Sequence, residues 1–292
     1  DRARALTAEG RELWTLDEGL GQVVFSKSHG PQGRLIYALT GMREHDEVRD
    51  VRGRCVQQVV QDEMLVVAGR TGEVLARAKT PPVTGPTRHF DFSPRGVAFT
   101  SHEGTDIILR EWRKDKGGGG LHLWAYDRQL NPLWAHQQTG AWYGHHHALA
   151  ACDIDGDGRE ELLAGGVMYD AAGSVLWTHD LADEVLRIYG GEHYDSVVLG
   201  DLAGEADDDP VAVLVGSSAG AYVVDALTGR TRAVHRIGHA QGSKVAKVRP
   251  DLPGREVLLF TRWGNMGILT LLSGRGERLW DIQPDYVGQG TC

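Results

Sequence analysis

Cysteine is scarce: Cys55, Cys152 and Cys292 are the three in 292 residues, odd in number and far apart. That excludes a disulfide framework and any closely spaced zinc-ligand set. Cys152, in an apolar run beside Asp153, reads as a small core residue. Long apolar runs are missing as well. No stretch approaches the ~20 residues of a membrane-spanning helix, so no membrane partner is expected. Positive charge is in deficit, with 31 Lys+Arg against 40 Asp+Glu and a net charge of −9. A general nucleic-acid binder needs a basic surface to meet phosphates, and that class is excluded too. Composition leaves the compartment open.

What the chain has in plenty is glycine, 39 residues of it, alongside a 41% hydrophobic content that is ample for a large core. Glycine in that amount suggests many tight turns between short strands. A repeat organises them. A glycine followed four residues later by the end of a short strand recurs as Gly10-Arg-Glu-Leu-Trp14, Gly72-Glu-Val-Leu-Ala76, Gly173-Ser-Val-Leu-Trp177, Gly229-Arg-Thr-Arg-Ala233 and Gly276-Glu-Arg-Leu-Trp280. Leu130-Asn-Pro-Leu-Trp134 is a sixth copy without the glycine. Copies spaced by about 40–60 residues, each with four short strands, mark propeller blades. The expected fold is an all-β propeller of four-stranded blades: five full blades with partial blades at the ends, a piece of a seven- or eight-bladed ring. The copy at Trp14 should lack the three strands before it. Residues 1–292 form a single domain on this reading, and the tryptophans pack between blades.

One blade reads in full, with strands over 147–152, 161–165, 167–170 and 174–179. The next two place strands over 196–200, 211–216 and 221–225, then 244–248, 257–261 and 268–272. Between the first two strands of the full blade runs Asp153-Ile-Asp-Gly-Asp-Gly-Arg-Glu-Glu161. Asp153, Asp155 and Asp157 alternate, Gly156 and Gly158 permit a tight backbone, and Glu161 follows. Alternate carboxylates around a sharp turn can converge on one hard cation, with the carbonyl of Arg159 completing the shell. Without a cation they would repel one another. Position twelve of the loop is Ala164, not the glutamate of an EF-hand, so a calcium loop between strands is expected. The alternative is a solvated Asp/Gly turn.

Strand order also says where a ligand site would form. If the inner strand of each blade runs from top to bottom, its start and the link between second and third strands share the top face. There the sequence puts His145, His146 and His147, then His193, Tyr194 and Asp195, then His239, Gln241 and Lys244. Arg88 and His89 take the same place one blade earlier. The second-to-third links bring Arg110, Glu111, Trp112, Arg113 and Lys114, and later Arg262, Trp263 and Asn265. Propellers commonly bind ligands at such a mouth. Arg and Lys neutralise a carboxylate, Trp stacks on a flat ring, and His and Tyr transfer protons. The set suits β-elimination of a uronate sugar. His146, His147, His193, Tyr194, Lys244 and Arg262 are the catalytic candidates; His89, Arg110, Trp112, Tyr143 and Trp263 are the substrate-binding ones. Each has a plainer reading: the histidine triplet as a transition-metal site or solvated edge, His193-Tyr194-Asp195 as a local turn, Trp112 and Trp263 as inter-blade packing.

The run Ala150-Ala-Cys-Asp-Ile-Asp-Gly-Asp-Gly-Arg-Glu-Glu-Leu-Leu resembles the calcium repeat of FG-GAP/VCBS-type propellers, including those of integrins. With Gly144-His-His-His-Ala-Leu before it and Gly191-Glu-His-Tyr-Asp-Ser-Val-Val-Leu-Gly-Asp-Leu after it, the segment is similar to the rhamnogalacturonan lyases of polysaccharide lyase family 11. The resemblance is good over 134–202 and weaker on to Trp280. It implies a secreted or periplasmic propeller, bound Ca2+, and β-elimination at a galacturonate linked to rhamnose. It also implies an acidic polysaccharide or oligosaccharide as partner; a monomer is expected. Two other readings stand beside it. One is a non-catalytic carbohydrate- or protein-binding propeller. The other is a propeller rhamnosidase, which would need paired carboxylates about 5–10 Å apart, with Glu111 and Asp195 the visible candidates.

Overall fold

The computed structural model describes residues 2–20, 23–27, 29–49, 55–80, 96–100, 106–113, 120–139, 149–179, 194–204, 209–262 and 267–283. Among them it is all β, 22 strands without a helix. The chain divides into two compact units, Asp1–Gly144 and His145–Cys292. In the first, the hairpin β1 (Ala3–Leu6) and β2 (Glu12–Leu16) precedes two four-stranded sheets. These are β3 (Val23–Phe25), β4 (Leu35–Arg49), β5 (Cys55–Ala68) and β6 (Val74–Lys79), then β7 (Gly96–Thr100), β8 (Asp106–Arg113), β9 (Gly120–Tyr126) and β10 (Pro132–Thr139). The second unit holds three sheets: β11 (Leu149–Cys152) to β14 (Val175–Thr178) through β12 (Glu161–Ala164) and β13 (Val167–Tyr169); β15 (Ser196–Gly200), β16 (Val211–Val215), β17 (Ala221–Asp225) and β18 (Thr231–His235); and β19 (Ala240–Ala246), β20 (Glu256–Thr261), β21 (Leu269–Leu272) and β22 (Arg278–Ile282).

Every four-stranded sheet is an antiparallel meander in chain order, which makes it a propeller blade. In the second unit the first strands β11, β15 and β19 are neighbours, so they form the inner row. Apolar residues fill the space between blades. Leu163, Met168 and Trp177 of one blade meet Leu214, Tyr222 and Val224 of the next. Val213, Val215 and Val223 meet Val257, Leu259 and Leu272 of the third. The middle blade is thus covered on both faces, and β16, Val-Ala-Val-Leu-Val, is buried at every position. A strand packed from both sides reads as a continuous apolar run, as this one does.

The repeat glycine and tryptophan are two halves of one inter-blade contact. The indole of Trp177, on the outer strand β14, donates its N–H to the Ala226 carbonyl of the next blade at 2.7 Å. Its ring covers Gly229, where a Cβ would lie 2.8 Å away and where φ is +75°. Trp14 does the same to the Gly69 carbonyl at 2.9 Å and to Gly72. The copy without the glycine is accommodated differently. Leu130 itself takes φ +64° and is buried with Tyr37, Met64 and Tyr126, against Ala76, the residue that replaces tryptophan in the preceding copy.

Three element boundaries differ from expectation. The copy at Trp14 has one preceding strand, β1, paired to it. Strand β8 runs on through Arg113, which pairs with Leu121, so Arg110 and Trp112 lie within a strand and not in its following link. The third inner strand starts at Ala240, not Lys244, because Ala240 pairs with Thr261 and is bridged to Ser217. Lys244 consequently sits mid-strand, opposite Leu258.

Candidate functional site

The turn between β11 and β12 closes on itself through its carboxylates. Asp153 accepts from the Gly156 and Gly158 N–H groups at 2.8 and 3.0 Å, and Asp155 accepts from Asp157 N–H at 3.1 Å. Gly156 and Gly158 have φ of +78° and +87°, which lets the backbone wrap so tightly. Ligand atoms of Asp153, Asp155 and Glu161 lie within 4.8 Å of one another. Asp157 is not in that group; its carboxylate accepts from the Arg159 N–H at 2.7 Å and lies 3.7 Å from Arg159 Nε. Glu161, the first residue of β12, is 4% exposed and accepts from Ile154 N–H at 3.0 Å. Burial, reinforced by the charges of Asp155 and Asp157, pushes its carboxyl up to about 7. All the donors are hard carboxylate oxygens with lone pairs beyond those used by the backbone, and that set fits a calcium ion.

The corresponding position two blades later gives a contrast within the same molecule. Glu256, first residue of β20, is 1% exposed and accepts from Val248 and Arg249 N–H at 2.7 and 3.0 Å. Here Lys247 Nζ lies 3.8 Å from the other carboxylate oxygen. Burial works to raise the Glu256 carboxyl, but the Arg249 and Val248 N–H groups and the Lys247 charge outweigh it and hold the group below its ordinary value. One buried glutamate faces a built-in cation. The other faces two aspartates.

At the opposite end of these blades, where the inner strands begin, polar side chains reach across the gaps between blades. Tyr194 and Asp195 are adjacent but turn opposite ways. Tyr194 is 1% exposed and reaches back to β14: its oxygen lies 2.7 Å from His179 Nδ1 and its O–H donates to the His179 carbonyl at 3.1 Å. Thr231 Oγ1 completes that cluster 2.9 Å from His179 Nε2. Asp195 reaches forward to the third blade and accepts from Gln241 Nε2 at 2.7 Å. It also accepts from Ser217 Oγ at 2.6 Å, in the link between β16 and β17. His239 lies beside it, and the Arg262 N–H donates to the His239 carbonyl at 2.9 Å.

The sequence candidates distribute as follows. Arg262 is half-buried and joined through its backbone to His239. Tyr194 is at the right end of its blade but enclosed. Lys244 is exposed and roughly 13 Å along β19 from Ala240, at about 3.3 Å per residue, so it does not join the cluster. His89, Tyr143, His146, His147, His193 and Trp263 lie outside the described residues. The group Asp195–Ser217–His239–Gln241 is assembled by the fold from residues 46 apart in sequence at most for its bonded pairs. The sequence signal for it was the position of Asp195, His239 and Gln241 at the entries of their inner strands.

Fold and site together define a β-propeller with a polar cluster at the entry end of its inner strands. No protein-family model matches the chain. It is similar to the rhamnogalacturonan endolyase YesW of Bacillus subtilis (strain 168), at 24% identity over 98% of this chain and 48% of that protein. Among solved structures it resembles rhamnogalacturonan lyase YesW, with a TM-score of 0.65, 19% identity, and coverage of 98% of this chain and 52% of that one. It also resembles the exotype rhamnogalacturonan lyase YesX, with a TM-score of 0.66, 21% identity, and coverage of 96% and 50%. The chain spans about half the length of the relatives it matches.

Proposed function

We propose that the protein is a polysaccharide lyase that cleaves uronate-containing, rhamnogalacturonan-like glycans by β-elimination. The observation that carries the reading is the similarity to rhamnogalacturonan lyases along 98% of the chain. The polar residues at the entry end of the blades give it chemical sense. Arg262 is a cation able to neutralise a uronate carboxylate and the charge that builds on it during proton removal. His146, His147 and His193 are the further catalytic candidates on this reading, and His89, Arg110, Trp112, Tyr143 and Trp263 are the candidate sugar contacts. Tyr194, enclosed against His179, is given a supporting role on this reading.

Calcium, on the same reading, is held by Asp153, Asp155 and Glu161, with the Arg159 carbonyl, and Asp157 once it turns from Arg159, as further ligands. It neutralises the turn at the far end of the blade. An acidic polysaccharide partner is in keeping with the same relatives, and a secreted or periplasmic location is proposed with it. The test is incubation with rhamnogalacturonan and other acidic polysaccharides, following the ultraviolet absorbance of the unsaturated uronate. A rise that Arg262→Ala abolishes while the protein stays folded supports the reading. Binding of the polymers without any rise would instead favour a carbohydrate-binding propeller.

A further inference from the structure

The side chain of Asp195 is 3% exposed, and a carboxylate so deeply enclosed is costly unless its oxygens are bonded. Gln241 and Ser217 meet one oxygen each, from two different blades. Ser217 is held for this purpose in backbone that non-glycine residues seldom adopt, φ +48°, anchored by Ala240 N–H donating to its carbonyl at 2.9 Å. Beyond the carboxylate stands His239, 21% exposed at the side chain. Its Nε2 lies 4.0 Å from Asp195 Oδ2, and its Nδ1 lies 3.1 Å from the hydroxyl of partly exposed Ser218. Among the described residues Arg262 also touches His239, its N–H donating to the His239 carbonyl.

From this we infer that His239 is the base of the elimination and Asp195 its positioning residue, an assignment that rests on the lyase reading. A carboxylate at 4.0 Å is too far for a hydrogen bond but near enough to favour the tautomer whose proton is on Nε2, facing it. The Nδ1 lone pair then points to Ser218, whose hydroxyl donates to it in the free protein. When a 4-linked uronate displaces that hydroxyl, the C5–H bond breaks and its proton passes to Nδ1. The C–H electron pair forms the C4–C5 double bond, the C4–O4 bond breaks with its pair on O4, and water protonates O4. The imidazolium so formed lies beside a fixed negative charge and later returns its proton to water. Asp195 thus acts on the reaction without touching the substrate.

The experiment compares wild type with Asp195→Asn and His239→Gln. It measures kcat and KM on an acidic polysaccharide, thermal stability, and the 15N spectrum of the His239 ring. Asp195→Asn should lower kcat on the order of 10²-fold, a general-base effect, with KM and melting temperature nearly unchanged. The ring should shift from the Nε2–H tautomer toward a mixture, which a purely structural aspartate would not cause. His239→Gln should lose at least as much activity. Ser217→Ala, which releases one carboxylate oxygen, should lower kcat by the same route if Asp195→Asn does not fold. Wild-type kcat in either His239→Gln or Asp195→Asn, or an unchanged ring spectrum in Asp195→Asn, overturns the assignment and leaves the lyase reading standing. Absence of any unsaturated product from wild type overturns the lyase reading itself, and the base role with it.

Discussion

The ring of Trp177 covers Gly229 of the next blade while its N–H bonds the Ala226 carbonyl three residues before that glycine. Any side chain at 229 meets the ring, and φ +75° is unfavourable for an L residue as well. Gly229→Ala should therefore cost at least about 2 kcal/mol of stability. Trp177→Phe keeps an aromatic ring but loses the indole N–H and some bulk, leaving the Ala226 carbonyl without that donor, and should cost about 1 kcal/mol or more. Thermal and denaturant unfolding of the two variants checks both values.

Glu161 ties stability to pH in the metal-free protein. Its folded-state value of about 7 lies above the ordinary 4.5, so the folded chain holds the proton more tightly than the unfolded one. This contribution is fully present below about pH 4.5 and is lost as pH rises through 7, amounting to roughly 3 kcal/mol over that window. Calcium-free protein should melt at a lower temperature at pH 8 than at pH 5. Added calcium should raise the melting temperature more at pH 8, and Glu161→Gln should abolish most of both effects. Equal melting temperatures at the two pH values in chelator would count against a strained Glu161.

Lys247→Met tests the built-in cation of the third blade. The lysine is 42% exposed and its partner enclosed, so solvent screens part of the attraction and the expected loss is about 1 kcal/mol. Calcium should not restore it. Adding Glu256→Gln to Lys247→Met should recover part of the loss, because the uncompensated buried charge is then gone. A double-mutant cycle read by chemical denaturation measures the coupling.

How much of this could be read from the chain varied with the range of the interactions. The blade over 149–178 was legible because its strands, turn and hairpin are consecutive, and glycines at 156, 158 and 173 mark the reversals. The start of β19 was not, since Ala240 is recruited by Ser217 from another blade and has no local signal of its own. That shift moved Lys244 away from the strand entry. Tyr194 does lie at the entry of its inner strand, but its enclosure depends on Gly166 and on His179, itself held by Thr231, closing around it. Leu130 breaks the repeat pattern in one position and Ala76 in another, and both meet in one inter-blade cluster visible only when the two blades are stacked. The acidic turn was legible as a carboxylate cluster, though Asp157 faces Arg159 and not the other three side chains.

The offset between tryptophan and glycine changes what counts as a module. The tryptophans of two copies, Trp14 and Trp177, are plugs whose sockets, Gly72 and Gly229, lie in the copy that follows, so a blade excised at its own boundaries loses that contact. Energy in such an array resides at the junctions between neighbours, and unfolding spreads along the series in the manner of a one-dimensional chain. An insertion or a transplanted segment should be tolerated when its ends fall between socket and plug of successive copies, and should fray its neighbour when they do not.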